Sequence, residues 1–349
     1  MHINLIPLEI LIHWICKKNS GACKQWRQIW YNKTRSLKYT YVITLRPIKH
    51  FKNLQHLEID FDALVVKDAR YLKRMTKLQS LEFYNDSLTD DILKSLKNLT
   101  SLLYASQNVT DESIKRLTKL RSLSLRQKDG ITHKSLDRLT NLTSVSLDGN
   151  TRPINRTLIW LPLLTDLHMN DNNMTIHTLK EFTNLTKLSM TNCPKLFDEG
   201  IKTLTKINHL SLIGMDYISD RSLKELKNLT RLEICDCDRI YDRTLQKMTK
   251  LQHFETCGKT QITMRSLKYL TNLKTLMFDN RDYFDHEKLS HLVNLTDLRL
   301  TNCSNKNIRQ RDITGLTNLS NLVLDEATHI KMRNLKIYLP NLKRIDHSG

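Results

Sequence analysis

The sequence predicts an α/β solenoid, a horseshoe-like stack of strand–turn–helix units with a parallel sheet on the concave side, short helices on the convex side and a small helical cap in front. Two observations carry this. Variants of the phrase Asn/Lys-Leu-x-x-Leu-x-Leu recur fourteen times, from Leu54, Leu78, Leu99, Leu120, Leu142, Leu164, Leu185, Ile207, Leu229, Leu251, Leu273, Leu295, Leu319 and Leu342, at spacings of 21 to 24 residues. Within each unit the apolar spacing then changes from two residues to three, as it must where a half-buried strand gives way to a helix with one apolar stripe.

In Leu142-Thr-Ser-Val145-Ser-Leu147, Val145 and Leu147 alternate with polar partners, which reads as a short strand with one buried face. Leu136 with Leu139, Leu223 with Leu226, Leu245 with Met248 and Leu267 with Leu270 then mark the helices. Ser219-Asp220 and Thr110-Asp111 precede two of them, supplying a hydroxyl to accept from the first free amides and a carboxylate for the positive helix end. One unit cannot bury its apolar face alone, so consecutive units must pile up, giving a sheet on the order of 60 Å along its arc for fourteen strands.

The phrase and its period resemble the leucine-rich repeat family over residues 51 to 346. That family's ladder position, Asn or Cys three places after the last strand leucine, is filled here by Asn150, Asn172, Cys193, Cys237 and Cys303, so the remaining turns are expected to be less regular. The divisions expected are a helical segment over 1–35, an opening strand and linker over 36–50, and about fourteen repeats over 51–349. The β-branched and aromatic run Tyr39 to Leu45 is expected to form the opening strand. Little chain follows Ile345, so the last strand is expected to fray or to be covered.

In front of the repeats, Pro7 stands at a first helical position and Leu8, Leu11, Ile12 and Ile15 make an amphipathic stripe; a second helix is expected around Ala22, Trp26, Ile29 and Trp30. Pro7-Leu8-Glu9-Ile10-Leu11 followed by Cys23-Lys24-Gln25-Trp26-Arg27 resembles the F-box. The resemblance implies that Pro7, Leu8, Glu9, Leu11, Cys23 and Trp26 dock on a Skp1-like adaptor while the solenoid holds a substrate for ubiquitin transfer. The alternative is a repeat scaffold or inhibitor whose front helices only cap the stack.

Eight glycines, none close enough together to build a phosphate-binding loop, exclude classical kinase and dehydrogenase readings. The Lys, Asn and Ile bias fits an AT-rich genome, such as that of a large DNA virus or a protist. Seven cysteines without a paired framework are expected to be free thiols in a reducing compartment, cytoplasmic or nuclear. The apolar run Ile3 to Cys16 holds Pro7, Glu9 and His13, lacks a cationic leader and is too short to span a bilayer. Gly258-Lys259-Thr260 lacks the earlier glycine of a phosphate loop, and His286 and His291 are one residue too far apart for a zinc-protease helix. Cys235, Cys257 and Asp279 fall in one column on successive strands with His253 nearby, yet without a fourth ligand they read as unpaired thiols rather than a zinc site. No catalytic residue, metal or cofactor is expected, and the chain reads as a non-enzyme.

A formal charge of +19, from 55 Lys and Arg against 36 Asp and Glu, invites a nucleic-acid partner, which needs a basic track. The residues between the strand leucines argue otherwise. Over the first thirteen repeats they include ten acids, Glu58, Asp60, Glu82, Asp148, Asp166, Glu233, Glu255, Asp279, Asp297 and Asp325, against Arg126, Lys187, Arg231 and Arg299. Residues 1 to 53 meanwhile hold ten Lys and Arg and one acid, Glu9. The expectation is therefore a basic protein target on an acidic inner face, with neither nucleic acid nor membrane as partner. The anchors expected there are Tyr84, Asp166, His168, His209, Glu233, His253, Glu255 and Asp279.

Overall fold

A computed structural model describes residues 21–39, 45–59, 68–126, 131–149, 157–279, 286–301, 310–325 and 335–348. The chain divides into two compact units, Met1–Leu164 and Thr165–Gly349.

The described residues of the first unit open with a helix, Gly21–Lys33, and hold six strands: β1 Ser36–Tyr39, β2 His56–Ile59, β3 Ser80–Phe83, β4 Ser101–Tyr104, β5 Ser122–Arg126 and β6 Ser144–Asp148. All pair in parallel and in chain order, so each leucine meets its counterpart one repeat on, as Leu57 meets Leu81 and Leu81 meets Leu102. The inward positions are closed to solvent: Leu81, Phe83, Leu102, Tyr104 and Leu125 are all 0% exposed. In the helix Gly21–Lys33, the Trp30 and Tyr31 rings each meet Phe51 edge-on at 4.8 Å, so the helix covers the start of the stack. Cys23 and Trp26 lie on this helix, whereas Pro7, Leu8, Glu9 and Leu11 lie outside the described residues.

The described residues of the second unit hold nine strands: β7 Asp166–Asn170, β8 Lys187–Thr191, β9 His209–Ile213, β10 Arg231–Tyr241, β11 His253–Gln261, β12 Thr275–Asp279, β13 Asp297–Thr301, β14 Asn321–Asp325 and β15 Arg344–Ser348. They too are parallel and paired in chain order. In both units the described return segments are short, a single α-helical turn as at Asp220–Leu223 or a six-residue 3₁₀ segment as at Met264–Tyr269. The hydroxyl caps expected from sequence form: Thr110 accepts from the Glu112 amide and Ser219 from the Arg221 amide. No helix of the described residues is long and apolar enough to cross a membrane.

The described stack opens with the strand Ser36–Tyr39, within the expected 36–50 segment and starting earlier than the Tyr39 to Leu45 run, of which residues 40–44 lie outside the described residues; with it there are fifteen described strands against fourteen recurrences. Thr34 stands there where later phrases have their first leucine, so the phrase is disguised, while Leu37 and Tyr39 still align with Leu57 and Ile59. Besides the expected ladder positions, the repeats are joined at a second place. The asparagine of the recurring phrase donates from Nδ2 to a main-chain carbonyl of the preceding repeat, Asn98 to Thr76 at 2.8 Å, Asn228 to Thr205 at 3.2 Å and Asn272 to Thr249 at 2.8 Å. Where lysine replaces it, the ammonium reaches back to the previous asparagine, Lys119 to Asn98 at 2.7 Å and Lys250 to Asn228 at 3.1 Å. At the expected positions the Cys193 and Cys237 thiols reach carbonyls of the preceding repeat, Met169 at 3.8 Å and Leu212 at 3.6 Å, as well as Thr191 at 3.3 Å and Cys235 at 3.2 Å two residues before them, while Asn172 accepts from the Met174 amide two residues on. Asn150 and Cys303 lie outside the described residues.

A second ladder runs along the helix starts. The first-turn aspartate of one repeat accepts both the amide and the hydroxyl of the next repeat's cap: Asp198 from Ser219 at 2.7 and 2.5 Å, and Asp242 from Thr263 at 2.7 and 2.5 Å. Asp90 takes the same bonds from Thr110 and a further one from Ser113. Although burial works against it, these bonds hold Asp90 below its ordinary pKa.

Candidate functional site

The parallel register of β7 to β13 brings the outward side chains of the second unit into three rows. Along the first run Asp166, Lys187, His209, Arg231, His253, Thr275 and Asp297. The middle row has His168, Ser189, Ser211, Glu233, Glu255, Met277 and Arg299. In the last, Cys235, Cys257 and Asp279 are consecutive. Of the eight anchors expected from sequence, seven are therefore on this face; Tyr84 is in the first unit, half-buried just past β3.

Glu233 is the best-held of them. Its Oε1 lies 2.5 Å from Arg231 Nη2 and 3.7 Å from His209 Nε2. The bond from His209, working against burial and joined by Arg231 and Ser211, brings the Glu233 pKa down to about 2. Glu255 sits directly opposite on β11. It has no ion pair among the described residues, and burial together with the Glu233 charge pushes its pKa up, Arg231 and Arg299 only partly offsetting this. Burial, with Arg231 and Lys274 nearby, keeps the His253 pKa below its ordinary value. Asp166 meets His168 Nε2 at 2.9 Å and Lys187 Nζ at 4.0 Å; burial opposes ionisation there, but His168 and Lys187 outweigh it and the pKa falls.

The charge expected of this face is thereby revised. The first row of β8 to β11 is cationic or imidazole, and Asp166 and Glu233 are each matched by neighbouring bases. The acidity is local, at Glu255 beside Glu233, with Asp279 one strand on and in register with Cys257. A smaller version occurs in the first unit, where Glu58 pairs with Lys38 and the neighbouring Glu82 has its pKa raised by burial and by Glu58. Sequence identified the outward residues; it held no means of telling which would be neutralised by a base on the same or the next strand.

The cysteine expectation is overturned at one pair. Cys235 and Cys257 form a disulfide, with Cα atoms 4.6 Å apart. Their shared column was legible at a separation of 22 residues, and in-register neighbours fall within bridging distance. Cys193 and Cys237 are free and buried; burial raises both pKa values, that of Cys237 to about 11. No metal-holding group occurs among the described residues. Gly258, Lys259 and Thr260 lie in β11 at a strand corner, where Gly258 has φ +64 and Asp236 accepts from the Lys259 amide at 2.9 Å.

No family model matches the sequence, and no curated protein matches it either. Solved structures do. The chain is similar to the internalin InlF of Listeria monocytogenes, with 22% identity over 92% of this chain and 89% of that one and a TM-score of 0.49. It is similar to a leucine-rich repeat protein of Leptospira interrogans, with 19% identity over 94% and 99% and a TM-score of 0.42. It is also similar to TLR13 in a complex with ssRNA13, with 16% identity over 91% of this chain and 60% of that one and a TM-score of 0.51. The serial parallel strands, short returns and buried leucine columns are the fold of a leucine-rich repeat solenoid.

Proposed function

We propose that the chain is a binding scaffold without catalytic activity, and that the strand face of its second unit holds a protein partner through lysine or arginine side chains. One observation carries this: Glu233, already charged, faces an acid with no ion pair, Glu255, across two hydrogen-bonded strands. Like charges held opposite one another are unfavourable, so a partner's cation seated between them would relieve repulsion as it binds. His209, His253 and Met277 surround the pair with groups suited to packing.

Panning a random peptide display library against the native chain tests this. Enriched peptides should be rich in Lys and Arg, and a Glu233→Lys, Glu255→Lys, Asp279→Lys variant should select Asp and Glu instead. Peptides without charge bias, or the same peptides from both proteins, would sink the idea. A ubiquitin-ligase role is not part of this reading. The described front helix is occupied in covering the first repeat, which favours the scaffold alternative.

A further inference from the structure

A second surface, on the helix side of the first unit, has different chemistry. Three cations converge on the half-buried Tyr71 ring: Lys49 Nζ at 5.7 Å, Arg70 Cζ at 5.6 Å and Arg74 Cζ at 5.8 Å from its centroid. Beside them His50, exposed, stacks on Tyr31 with centroids 5.0 Å apart and planes 18° from parallel. The helix Gly21–Lys33 and the 3₁₀ turns Arg46–His50 and Ala69–Arg74 supply all six residues. Among the described residues compensation is thin. Asp68 meets Arg70 at 3.3 Å and Arg46 at 3.7 Å, one carboxylate between two guanidiniums, while Lys49 and Arg74 have no ion pair among the described residues. The ring quadrupole attracts each cation but does not cancel their mutual repulsion, which a polyanion would.

We propose that this patch binds single-stranded nucleic acid, with phosphates on Lys49, Arg70 and Arg74 and bases stacking on the His50–Tyr31 pair. Charge complementarity calls for a polyanion, and the interleaved rings select among polyanions. An acidic protein would use the cations alone, whereas a nucleic-acid strand uses cations and flat rings together. A bilayer would also want exposed apolar anchors, and Ile29 is the one large apolar side chain exposed among the described residues of these three elements. From sequence, nucleic acid was set aside because the strand face lacks a basic track; this cluster is on the other side of the sheet. It shares no residue with the face proposed to hold a protein partner in the second unit.

The test measures fluorescence anisotropy of a fluorescein-labelled 20-mer oligouridylate against the full chain across a salt series. Lys49→Glu with Arg74→Glu should weaken binding at least tenfold and, at roughly 0.7 for each phosphate no longer neutralised, flatten the log–log salt slope by about 1.4. The control Lys227→Glu with Lys247→Glu, equal in charge but in the second unit, should change affinity less than twofold. Equal losses in the two variants would mean diffuse attraction by net charge and overturn the proposal. So would competition by polyglutamate as effective as by unlabelled oligonucleotide, or binding to phosphatidylserine vesicles without binding to the oligonucleotide. Photo-crosslinking of a 5-iodouridine oligonucleotide to the unmodified chain guards against misfolded variants: adducts should map to peptides holding Tyr31, His50 or Tyr71, and adducts confined elsewhere would overturn it.

Discussion

Glu233 and Glu255 differ only in what surrounds them, and their proton affinities separate accordingly. With its pKa near 2 in the folded chain against an ordinary 4.5, Glu233 contributes stability that is fully present above 4.5 and is lost as pH falls through about 2. Glu255 shifts the other way, so its contribution is present below the ordinary value and is lost as pH rises through its raised one. Carboxyl-resolved NMR titration should show Glu233 ionising first, and Arg231→Gln should bring the two titrations closer together; superimposed titrations in the native chain would contradict the described geometry. The bridged cysteines offer a second check at this scale. Peptide mapping without reductant should recover Cys235 joined to Cys257, with Cys193 and Cys237 unreactive to alkylation until the chain unfolds. Sequence placed the first two thiols side by side but offered no reason to prefer a bond, because their exact approach depends on strand register.

Among elements, the aspartate ladder does most to join one return turn to the next. Asp242→Ala removes both acceptor oxygens and strands the Thr263 amide at the start of the next turn, a cost of about 1–3 kcal/mol in denaturant unfolding. Because repeats are stabilised by nearest neighbours, hydrogen exchange should quicken in β10 to β12 and stay unchanged in β2 to β4. The capping hydroxyls were legible because cap and amide are neighbours in sequence. Their aspartate acceptors were not, since each lies 20 or 21 residues earlier and carries no local signal beyond its suitability for a first helical turn. The start of the opening strand at Ser36 was hidden for a related reason: Thr34 conceals the phrase, and the aromatic run that follows it is the louder signal.

For the whole molecule, periodicity revealed nearly everything about architecture, because a stack of equivalent units repeats its buried positions in the open. Charge was read less well. A net +19 is a sum over surfaces that differ in character: a strand face where acids and bases largely match, with a local carboxylate surplus, and a helix-side patch where Lys49, Arg70 and Arg74 crowd one tyrosine. Which cation meets which acid depends on side chains brought together from different repeats, and no linear census contains that information.

The asparagine ladder also bears on sugar chemistry. Asn98, Asn141, Asn228, Asn294 and Asn318 each open an Asn-Leu-Thr or Asn-Leu-Ser triplet, the acceptor signal for N-linked glycans. In each, the nitrogen that would receive the sugar already donates to a carbonyl one repeat back. These side chains are exposed, so a glycan would project into solvent, but it would take one of the two hydrogens of the nitrogen that ties the repeats together, and modification and assembly would draw on the same atom.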